Sequence, residues 1–269
     1  MSFLHKCAII TGSSNGIGKA TALLLASRGA NVLIHGTKQD AINSVVQQCK
    51  LRGREGAVFP SVKGLIENEE TLANIAETAS SEFGQLDVLI NNAIRSSFHD
   101  LRNAPIADLD AHFAIIVKSA VRLSQLCLPN LTKCKGNIVN ISSVEALRPT
   151  DLRHSFYAIS KAALNMFTQC AALEFADDGV RVNAVCPGAT RTEILENMGM
   201  TNEEEINELW SMFAKIVPVK RVATAEEIAG FIVYIASSEA AMINGQCIAH
   251  DGGLTLIGLQ KHVIEKASK

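Results

Sequence analysis

A tyrosine and a lysine are separated by three residues in the stretch Tyr157-Ala158-Ile159-Ser160-Lys161. In a helix this spacing places both side chains on one face, with the ammonium close to the phenol. A nearby positive charge stabilises phenolate and lowers a pKa that is near 10 in isolation, towards the range of general acid–base catalysis. The pattern therefore predicts proton transfer at Tyr157. The alternative, an ordinary exposed helix pair, is disfavoured because the chain contains only two tyrosines.

A glycine-rich turn occurs near the start, in Thr11-Gly12-Ser13-Ser14-Asn15-Gly16-Ile17-Gly18. It follows an apolar run typical of a buried strand and precedes a helical pattern that closes at Gly29. Glycine lets the backbone approach a ligand, and the free N–H groups of a helix N-terminus attract phosphate. Tight turns also need glycine for structural reasons alone, and this spacing differs from Gly-x-Gly-x-x-Gly. The turn predicts a dinucleotide site only in combination with other motifs.

Composition favours one large α/β domain over residues 1–269, with 48% hydrophobic and 19% charged residues. The net charge of −2 offers no electrostatic footprint for nucleic acid or an anionic membrane. No uninterrupted apolar run reaches the roughly 18 residues of a transmembrane helix, and the first strand pattern begins near residue 6. The seven cysteines and seven histidines show no metal-ligand spacing. We expect a soluble cytoplasmic protein without a metal site.

Strand patterns alternate with helical patterns along the chain. Strands are predicted near 6–12, 31–36, 56–62, 86–91, 136–142, 180–186 and 246–250, and helices near 17–29, 39–52, 68–83, 104–128, 154–177 and 224–237. This alternation predicts a single doubly wound parallel sheet of about seven strands with helices on both faces, as in Rossmann-like folds. Ligands of such sheets bind beyond the carboxyl ends of the strands.

Short polar motifs follow several of these strands. They are Asn91-Asn92-Ala93, Ser142-Ser143, Pro187-Gly188-Ala189-Thr190-Arg191-Thr192, Asn244-Gly245-Gln246 and Asp251-Gly252-Gly253. Together with the glycine turn and the Tyr157/Lys161 pair, they resemble the short-chain dehydrogenase/reductase family over nearly the whole chain. The resemblance implies hydride transfer between a nicotinamide dinucleotide and a ketone or secondary alcohol. It also implies that Ser143 binds the substrate carbonyl oxygen, Tyr157 supplies the proton and Lys161 holds the nicotinamide ribose. Ser142 is the alternative to Ser143, because the loop to Tyr157 is one residue longer than is common.

The resemblance also indicates which residues bind the cofactor. They are Gly12, Ser13, Ser14, Asn15, Gly16, Ile17, Gly18, Thr37, Lys38, Ser61, Val62, Asn92, Ala93, Tyr157, Lys161, Pro187, Gly188, Thr190 and Thr192. An acid at the end of the second strand would repel a 2′-phosphate, and Ile34-His35-Gly36-Thr37-Lys38 contains none. NADP(H) is therefore favoured over NAD(H), with Thr37, Lys38 and His35 as candidates to meet the phosphate. Lys38 as a solvated loop residue is the alternative.

Three positions depart from the family pattern. Ile94 replaces a glycine, Ile116 stands where a catalytic asparagine is usual, and Ser61 replaces an aspartate near the adenine. A second hypothesis follows from Ile94 and Ile116: a dinucleotide-binding sensor or scaffold with little or no catalysis. An enoyl reductase or epimerase is a third, less favoured possibility.

The resemblance further predicts a substrate lid over about 190–220, a homotetramer and, as the second choice, a homodimer. Apolar lid residues suit a hydrophobic substrate, although packing of the lid itself explains most of them. These residues are Ile194, Leu195, Met198, Met200, Trp210, Met212 and Phe213. Four cationic residues flank the expected cleft and are candidates to bind an acidic group or to be solvated: Arg95, Arg148, Arg153 and His154.

Overall fold

The computed structural model describes residues 1–149, 153–197 and 199–257. The strands are β1 (Cys7–Ile10), β2 (Asn31–Gly36), β3 (Ser61–Lys63), β4 (Val88–Asn91), β5 (Asn137–Ile141), β6 (Arg181–Pro187), β7 (Thr190–Arg191), β8 (Ala223–Thr224) and β9 (Cys247–His250). The α-helices are α1 (Gly16–Ser27), α2 (Gln39–Arg52), α3 (Glu69–Phe83), α4 (Ile106–His112), α5 (Ser119–Cys134), α6 (Ser155–Glu174), α7 (Ile194–Asn197), α8 (Glu203–Ile216) and α9 (Ala225–Ala236).

Seven strands form one parallel sheet in the order β3-β2-β1-β4-β5-β6-β9. From β1 the chain first builds outward to β3, then returns to place β4 on the other side of β1 and builds outward again to β9. The strand order therefore reverses between β1 and β4, where doubly wound sheets bind their ligands. This arrangement confirms the predicted fold class. The short strands β7 and β8 pair with each other outside the main sheet.

Alternate residues of the central strands enter two separate cores. Ile10, Ile34 and Ile90 face one side of the sheet and pack with residues of α1, α2 and α9. Their neighbours Ile9, Leu33 and Leu89 face the other side and pack with residues of α3, α5 and α6. Successive side chains of a strand point to opposite faces, so a strand covered on both sides must be apolar throughout. The uninterrupted apolar runs in the sequence reflect this double coverage.

Two element boundaries differ from the sequence predictions. The helix expected over 104–128 runs on to Cys134, with Pro129 inside α5 and a π-helical segment at Phe113–Lys118 between α4 and α5. The predicted end at 128 was wrong, because proline normally terminates helices and here does not. Of the strand expected over 56–62, only Ser61–Lys63 forms a strand, although the carbonyl groups of Val58 and Pro60 still accept hydrogen bonds from β2.

One helical stretch of the described residues, Ile106–Cys134, is long and apolar enough to cross a membrane by length and composition. Core helices of soluble proteins pass the same test. Leu123 and Leu131 of this stretch are fully buried in the core formed with α3 and α6.

Candidate active site

Tyr157 and Lys161 lie together in the first two turns of α6. Their side chains share one helix face, and the Lys161 Nζ lies 5.5 Å from the centroid of the Tyr157 ring. Both residues are buried, with exposed fractions of 8% and 1%. The Lys161 Nζ donates a hydrogen bond of 2.5 Å to the carbonyl oxygen of Ile141, the last residue of β5. The end of β5 and the start of α6 thus hold the ammonium beside the phenol.

Burial dominates the protonation of this pair. Desolvation raises the pKa of Tyr157 above its ordinary value, although a hydrogen bond with the Ser143 side chain acts in the opposite direction. Desolvation also lowers the pKa of Lys161 to about 7. The spacing of Tyr157 and Lys161 predicted that the ammonium lowers the pKa of Tyr157. The protein alone does the reverse, because enclosure disfavours the charged form of each group.

The two serines after β5 have different partners. The Ser143 side chain lies close enough to Tyr157 to oppose the rise in its pKa, and the Ser143 hydroxyl accepts the N–H of Glu145 at 3.1 Å, which begins a short 3₁₀ turn. Ser142 is turned to the backbone of α6, where its hydroxyl donates to the Lys161 carbonyl oxygen at 3.3 Å. The structure therefore brings Ser143 to the tyrosine and gives Ser142 the structural role of fixing α6 to the end of β5.

The glycine turn is held by residues after β4. The Asn92 Nδ2 donates to the carbonyl oxygens of Thr11 and Gly12 at 2.9 and 3.0 Å. The Thr11 hydroxyl accepts the N–H groups of Asn92 and Ala93 at 2.9 and 3.0 Å. A Cβ on Gly18 would lie 2.5 Å from both the Gly12 carbonyl oxygen and the Asn92 Nδ2, so only glycine fits there. Asn92 and Ala93 therefore shape the turn.

The N-terminus of α1 is suited to an anion. The helix begins at Gly16, and the side chain of its N-cap, Asn15, makes no capping hydrogen bond. The first N–H groups of a helix have no intrahelical acceptor and carry a partial positive charge. The side chain of Thr192 lies beside the turn, 3.5 Å from the position of a Cβ on Gly16. The free N–H groups at the start of α1 are therefore the groups that would attract a pyrophosphate, and the Glu193 carboxylate also lies near Gly16.

Two predicted cofactor residues have their polar groups engaged within the protein. The Ser13 N–H donates to the His35 carbonyl oxygen at 2.8 Å, and the fully buried Ser13 hydroxyl donates to the Ile10 carbonyl oxygen at 2.8 Å. The Gly12 N–H donates to the His35 Nδ1 at 3.1 Å. These donors are not free for a ligand, because the two N–H groups bond to His35 in β2 and the hydroxyl bonds to Ile10 in β1. Residues from Ser14 to Gly18 remain predicted cofactor positions.

The end of β2 presents no carboxylate and has no room for one at Gly36. A Cβ on Gly36 would lie 2.6 Å from the Ser14 hydroxyl oxygen. Thr37 and Lys38 follow as exposed residues. His35 is buried, however, and burial lowers its pKa to about 4. The suggestion that His35 meets a phosphate is wrong, because its ring is neutral and enclosed.

The remaining cofactor positions lie at the carboxyl ends of β3 and β6 or beside them. Ser61 is exposed and Val62 is buried in β3, which pairs with the end of β2. Pro187 ends β6, and a Cβ on Gly188 would lie 2.8 Å from the Asp251 Cα. The Thr190 hydroxyl donates to the Gly188 carbonyl oxygen at 2.9 Å. The loop after β6 is thereby packed against the turn that follows β9.

Neither isoleucine that departs from the family pattern offers a polar group to the site. Ile116 lies in the π-helical segment, is 2% exposed, and packs with Ala120, Tyr157 and Leu164. Ile94 is exposed in the loop after β4. Ile116 therefore adds an apolar side chain to the cluster that contains Tyr157, at the position where an asparagine was expected.

Sequence reasoning missed a stack of rings on Tyr157. The His154 ring lies 4.9 Å from the Tyr157 ring and 4.4 Å from the Phe98 ring, centroid to centroid, with the planes within 27° in both pairs. The Ser96 hydroxyl is 2.8 Å from the His154 Nε2. No motif marks Phe98, since only the fold brings the loop after β4 to the start of α6.

The cationic residues at the cleft are largely engaged within the protein. The Arg95 guanidinium donates to the Asp108 Oδ1 at 3.1 and 2.7 Å, and the Ser97 hydroxyl donates to the Asp108 Oδ2 at 2.5 Å. Arg148 donates to the carbonyl oxygens of Thr255 and Ile257. Arg153 lies over the Phe98 ring at 5.6 Å. Arg95 and Arg148 therefore anchor loops, and binding of an acidic group by them is disfavoured.

The lid region contains α7 and α8, with a small core of its own. Leu195, Ile206 and Trp210 are buried together, and Ile194, Met200 and Phe213 pack against them. Most of the apolar lid residues thus have the structural role that the sequence analysis gave as the alternative. Met212 is exposed. Met198 lies outside the described residues.

Comparison with known proteins agrees with this geometry. A family model described as enoyl-(acyl carrier protein) reductase matches residues 12–255. An uncharacterised oxidoreductase of Thermotoga maritima is 36% identical over 96% of this chain and 100% of its own length.

Two solved structures share the fold. A short-chain dehydrogenase/reductase of Caenorhabditis elegans, solved with cofactor, has a TM-score of 0.89 and 31% identity, covering 96% of this chain and 98% of the other. L-sorbose reductase of Gluconobacter frateurii, complexed with NADPH and L-sorbose, has a TM-score of 0.88 and 29% identity, covering 96% and 99%. The family model, the Thermotoga maritima relative and the shared fold agree: this chain belongs to the short-chain dehydrogenase/reductase family, whose members include hydride-transferring alcohol and ketone oxidoreductases.

Proposed function

We propose that the chain is an NADP(H)-dependent oxidoreductase that interconverts a hydrophobic ketone and its secondary alcohol. The observation that carries the proposal is the buried Tyr157/Lys161 pair, with the Lys161 Nζ 5.5 Å from the Tyr157 ring centroid and the Ser143 side chain close enough to oppose the rise in the pKa of Tyr157. This pair lies at the same edge of the sheet as the uncapped start of α1. A bound nicotinamide dinucleotide supplies or accepts the hydride.

The protein's own residues handle the oxygen and the proton. The Ser143 and Tyr157 hydroxyls bind the carbonyl oxygen and stabilise its developing negative charge. Burial keeps the Tyr157 phenol protonated at neutral pH, so its Oη is ready to give a proton to that oxygen. Lys161 holds the ribose hydroxyls. Because its pKa is lowered to about 7, it can also give up or take up a proton near neutral pH. The resting protonation state therefore favours reduction of the carbonyl.

Three features support NADP(H) over NAD(H). No acid ends β2, Gly36 has no space for a side chain against Ser14, and the Lys38 ammonium is exposed one residue beyond Thr37. A 2′-phosphate next to this end of β2 meets a hydroxyl and a cation and no repelling carboxylate. The related sorbose reductase was solved with NADPH.

Exposed apolar side chains support a hydrophobic substrate. Ile94, Phe98 and Leu147 are 41%, 41% and 45% exposed on the loops that flank Tyr157. Arg95 and Arg148 are occupied by Asp108 and by backbone carbonyls, so the described rim favours an uncharged substrate. Four exposed apolar residues on α4 and α6 support self-association of the chain: Ile106, Ile159, Met166 and Leu173. We propose a homotetramer, with a homodimer as the second choice. We also propose that the enzyme is cytoplasmic.

The test follows absorbance at 340 nm with NADPH or NADH against a panel of diketones, quinones, steroids and aldehydes. We expect turnover with a preference for NADPH, and a fall in kcat of about 10²- to 10⁴-fold for Tyr157→Phe. Cofactor binding, measured by quenching of the Trp210 fluorescence, should persist in this variant. Tyr234→Phe is the matched control, since Tyr234 is the other tyrosine of the chain and stacks on Phe231 in α9. A preference for NADH would refute the NADP assignment.

The second candidate is a sensor or scaffold that binds the dinucleotide without turnover. Ile116 favours it, because the residue gives Tyr157 an apolar neighbour where the family has a polar one. Binding without turnover across the whole panel, with Tyr157→Phe behaving as the parent protein, would support this candidate over the enzyme.

A further inference from the structure

His35 lies where two loops of the nucleotide half meet. His35 belongs to β2 and is 2% exposed. The Nδ1 accepts the Gly12 N–H at 3.1 Å, and the Nε2 is 3.2 Å from the carbonyl oxygen of Gly64, directly after β3. The imidazole therefore spans from the glycine turn after β1 to the loop after β3. These two loops flank the end of β2, where the adenosine half of a dinucleotide would lie under the proposed function.

The contacts select one protonation state of the ring. The Gly12 N–H requires a bare Nδ1, and the Gly64 carbonyl oxygen requires a proton on Nε2. Only the neutral tautomer with the proton on Nε2 satisfies both. Burial favours the neutral form as well and lowers the pKa of His35 to about 4. The ring thus works as a fixed donor–acceptor bridge and carries no charge for a phosphate.

The backbone of His35 binds the same turn. Its N–H donates to the Ser13 hydroxyl oxygen at 3.0 Å, and its carbonyl oxygen accepts the Ser13 N–H at 2.8 Å. Gly12 has a φ of 61°, a conformation in which its N–H is directed at the ring. Three hydrogen bonds between His35 and the turn therefore fix Gly12 and Ser13.

We propose that His35 is a positioning residue of the dinucleotide site, a neutral bridge that holds the glycine turn in its binding conformation and fixes it to the loop after β3. The inference rests on the proposed function, since it assigns His35 to the binding of the same dinucleotide. A purely structural histidine would affect the stability of the protein. A positioning residue affects dinucleotide affinity beyond any loss of stability.

Three variants separate the two bonds of the ring. His35→Asn keeps an acceptor near the Nδ1 position, His35→Gln keeps a donor near the Nε2 position, and His35→Phe removes both. Titration calorimetry with NADP⁺ and NAD⁺ should show affinity about tenfold to hundredfold weaker in His35→Phe and largely restored in His35→Asn. The kcat at saturating cofactor should stay within about threefold of the parent, because the ring does not touch the reacting groups.

Ile75→Ala is the control for a general loss of stability. Ile75 is fully buried in α3, in the core on the opposite side of the sheet from α1. This variant should lower the unfolding midpoint in urea at least as much as His35→Phe, with dinucleotide affinity unchanged. Equal losses of dinucleotide affinity in both variants would show that His35 acts only through the stability of the protein, which contradicts the proposal.

A spectroscopic measurement on the protein without cofactor tests the bridge directly. Imidazole ¹⁵N shifts should show a bare Nδ1 and a protonated Nε2 at pH 7, and the Gly12 amide should exchange slowly in the parent protein and rapidly in His35→Phe. A cationic ring or the opposite tautomer overturns the inference. Parent-like affinity in His35→Phe does so too, while the proposed function stands. Failure of the unmodified protein to bind either dinucleotide overturns the proposed function first.

Discussion

The nucleotide half and the substrate half of the cleft are built differently. Around the glycine turn, backbone groups and buried side chains bond to each other, and a Cβ on Gly18 or Gly36 would collide with its neighbours. Around Tyr157, side chains stack on side chains, and Phe98 at the outer end of the stack is 41% exposed. The backbone contacts of the glycine turn restrict residue types strictly, whereas the outer rings of the stack on Tyr157 tolerate exchange. The glycine turn is therefore specified more tightly.

The comparison is tested most strongly by replacing one glycine with alanine in each of two helices, α1 and α9. Gly18→Ala in α1 places a Cβ 2.5 Å from the Gly12 carbonyl oxygen and 2.9 Å from the Ser13 Cα. We expect the free energy of unfolding in urea to fall by about 3 kcal/mol, because the backbone must shift. Dinucleotide affinity should fall by about a hundredfold or more, because the same shift moves the turn.

Gly230→Ala in α9 is the matched control. Apart from its chain neighbours and the backbone of α9, no atom of the described residues lies within 4 Å of the position of its Cβ, so alanine should raise the stability by about 0.5–1 kcal/mol through its helix propensity and leave affinity unchanged. Parent-like dinucleotide affinity in Gly18→Ala would show that the turn tolerates a side chain and that the strict half of the comparison is mistaken.

The same contrast explains what the sequence could predict. Gly12, Gly16 and Gly18 were identifiable because φ values of 61° and 52° and close backbone approach demand glycine. Tyr157 and Lys161 were identifiable because one helix carries both. The doubly wound parallel sheet of about seven strands followed from the alternation of strands and helices.

Contacts between distant segments escaped the sequence. His35 reaches Gly12 and Gly64 across 23 and 29 residues, and Phe98 meets His154 only because α6 begins beside the loop after β4. The effect of the lysine on Tyr157 was also misjudged. The charge was visible in the sequence, but the burial that opposes it depends on tertiary packing.

A pH titration measures how much the neutral His35 ring contributes to the stability of the nucleotide half of the cleft. His35 has an ordinary pKa of 6.5 and a folded pKa of about 4, so between these values the unfolded chain binds more protons than the folded one. The free energy of unfolding should therefore fall as the pH falls from 6.5 and stop falling from this cause below about pH 4. Because half of the unfolded imidazole is already protonated at pH 6.5, the loss between pH 6.5 and pH 5 is about 1.6 kcal/mol at 1.36 kcal/mol per pKa unit.

Urea unfolding of the parent protein and of His35→Asn at both pH values isolates this contribution. The carboxylates titrate alike in both proteins, so the difference in stability between the two should shrink by about 1.6 kcal/mol on acidification. A constant difference would mean that the His35 ring is protonated in the folded protein at pH 5.

The smallest effect is expected in the tolerant half, for Phe98→Ala. The variant removes the outer ring of the stack on Tyr157, and such ring pairs are worth about 0.5–1.5 kcal/mol. We therefore expect the KM for the carbonyl substrate to rise about two- to tenfold. The affinity for NADP(H) should not change, since Phe98 lies on the loop after β4 and makes no described contact with the glycine turn. Leu101→Ala is the control, because Leu101 is 55% exposed on the same loop and outside the stack. The opposite outcome would be a loss of dinucleotide affinity in Phe98→Ala as large as in His35→Phe. The loop after β4 would then set the conformation of the glycine turn, and the two halves of the cleft would not be independent.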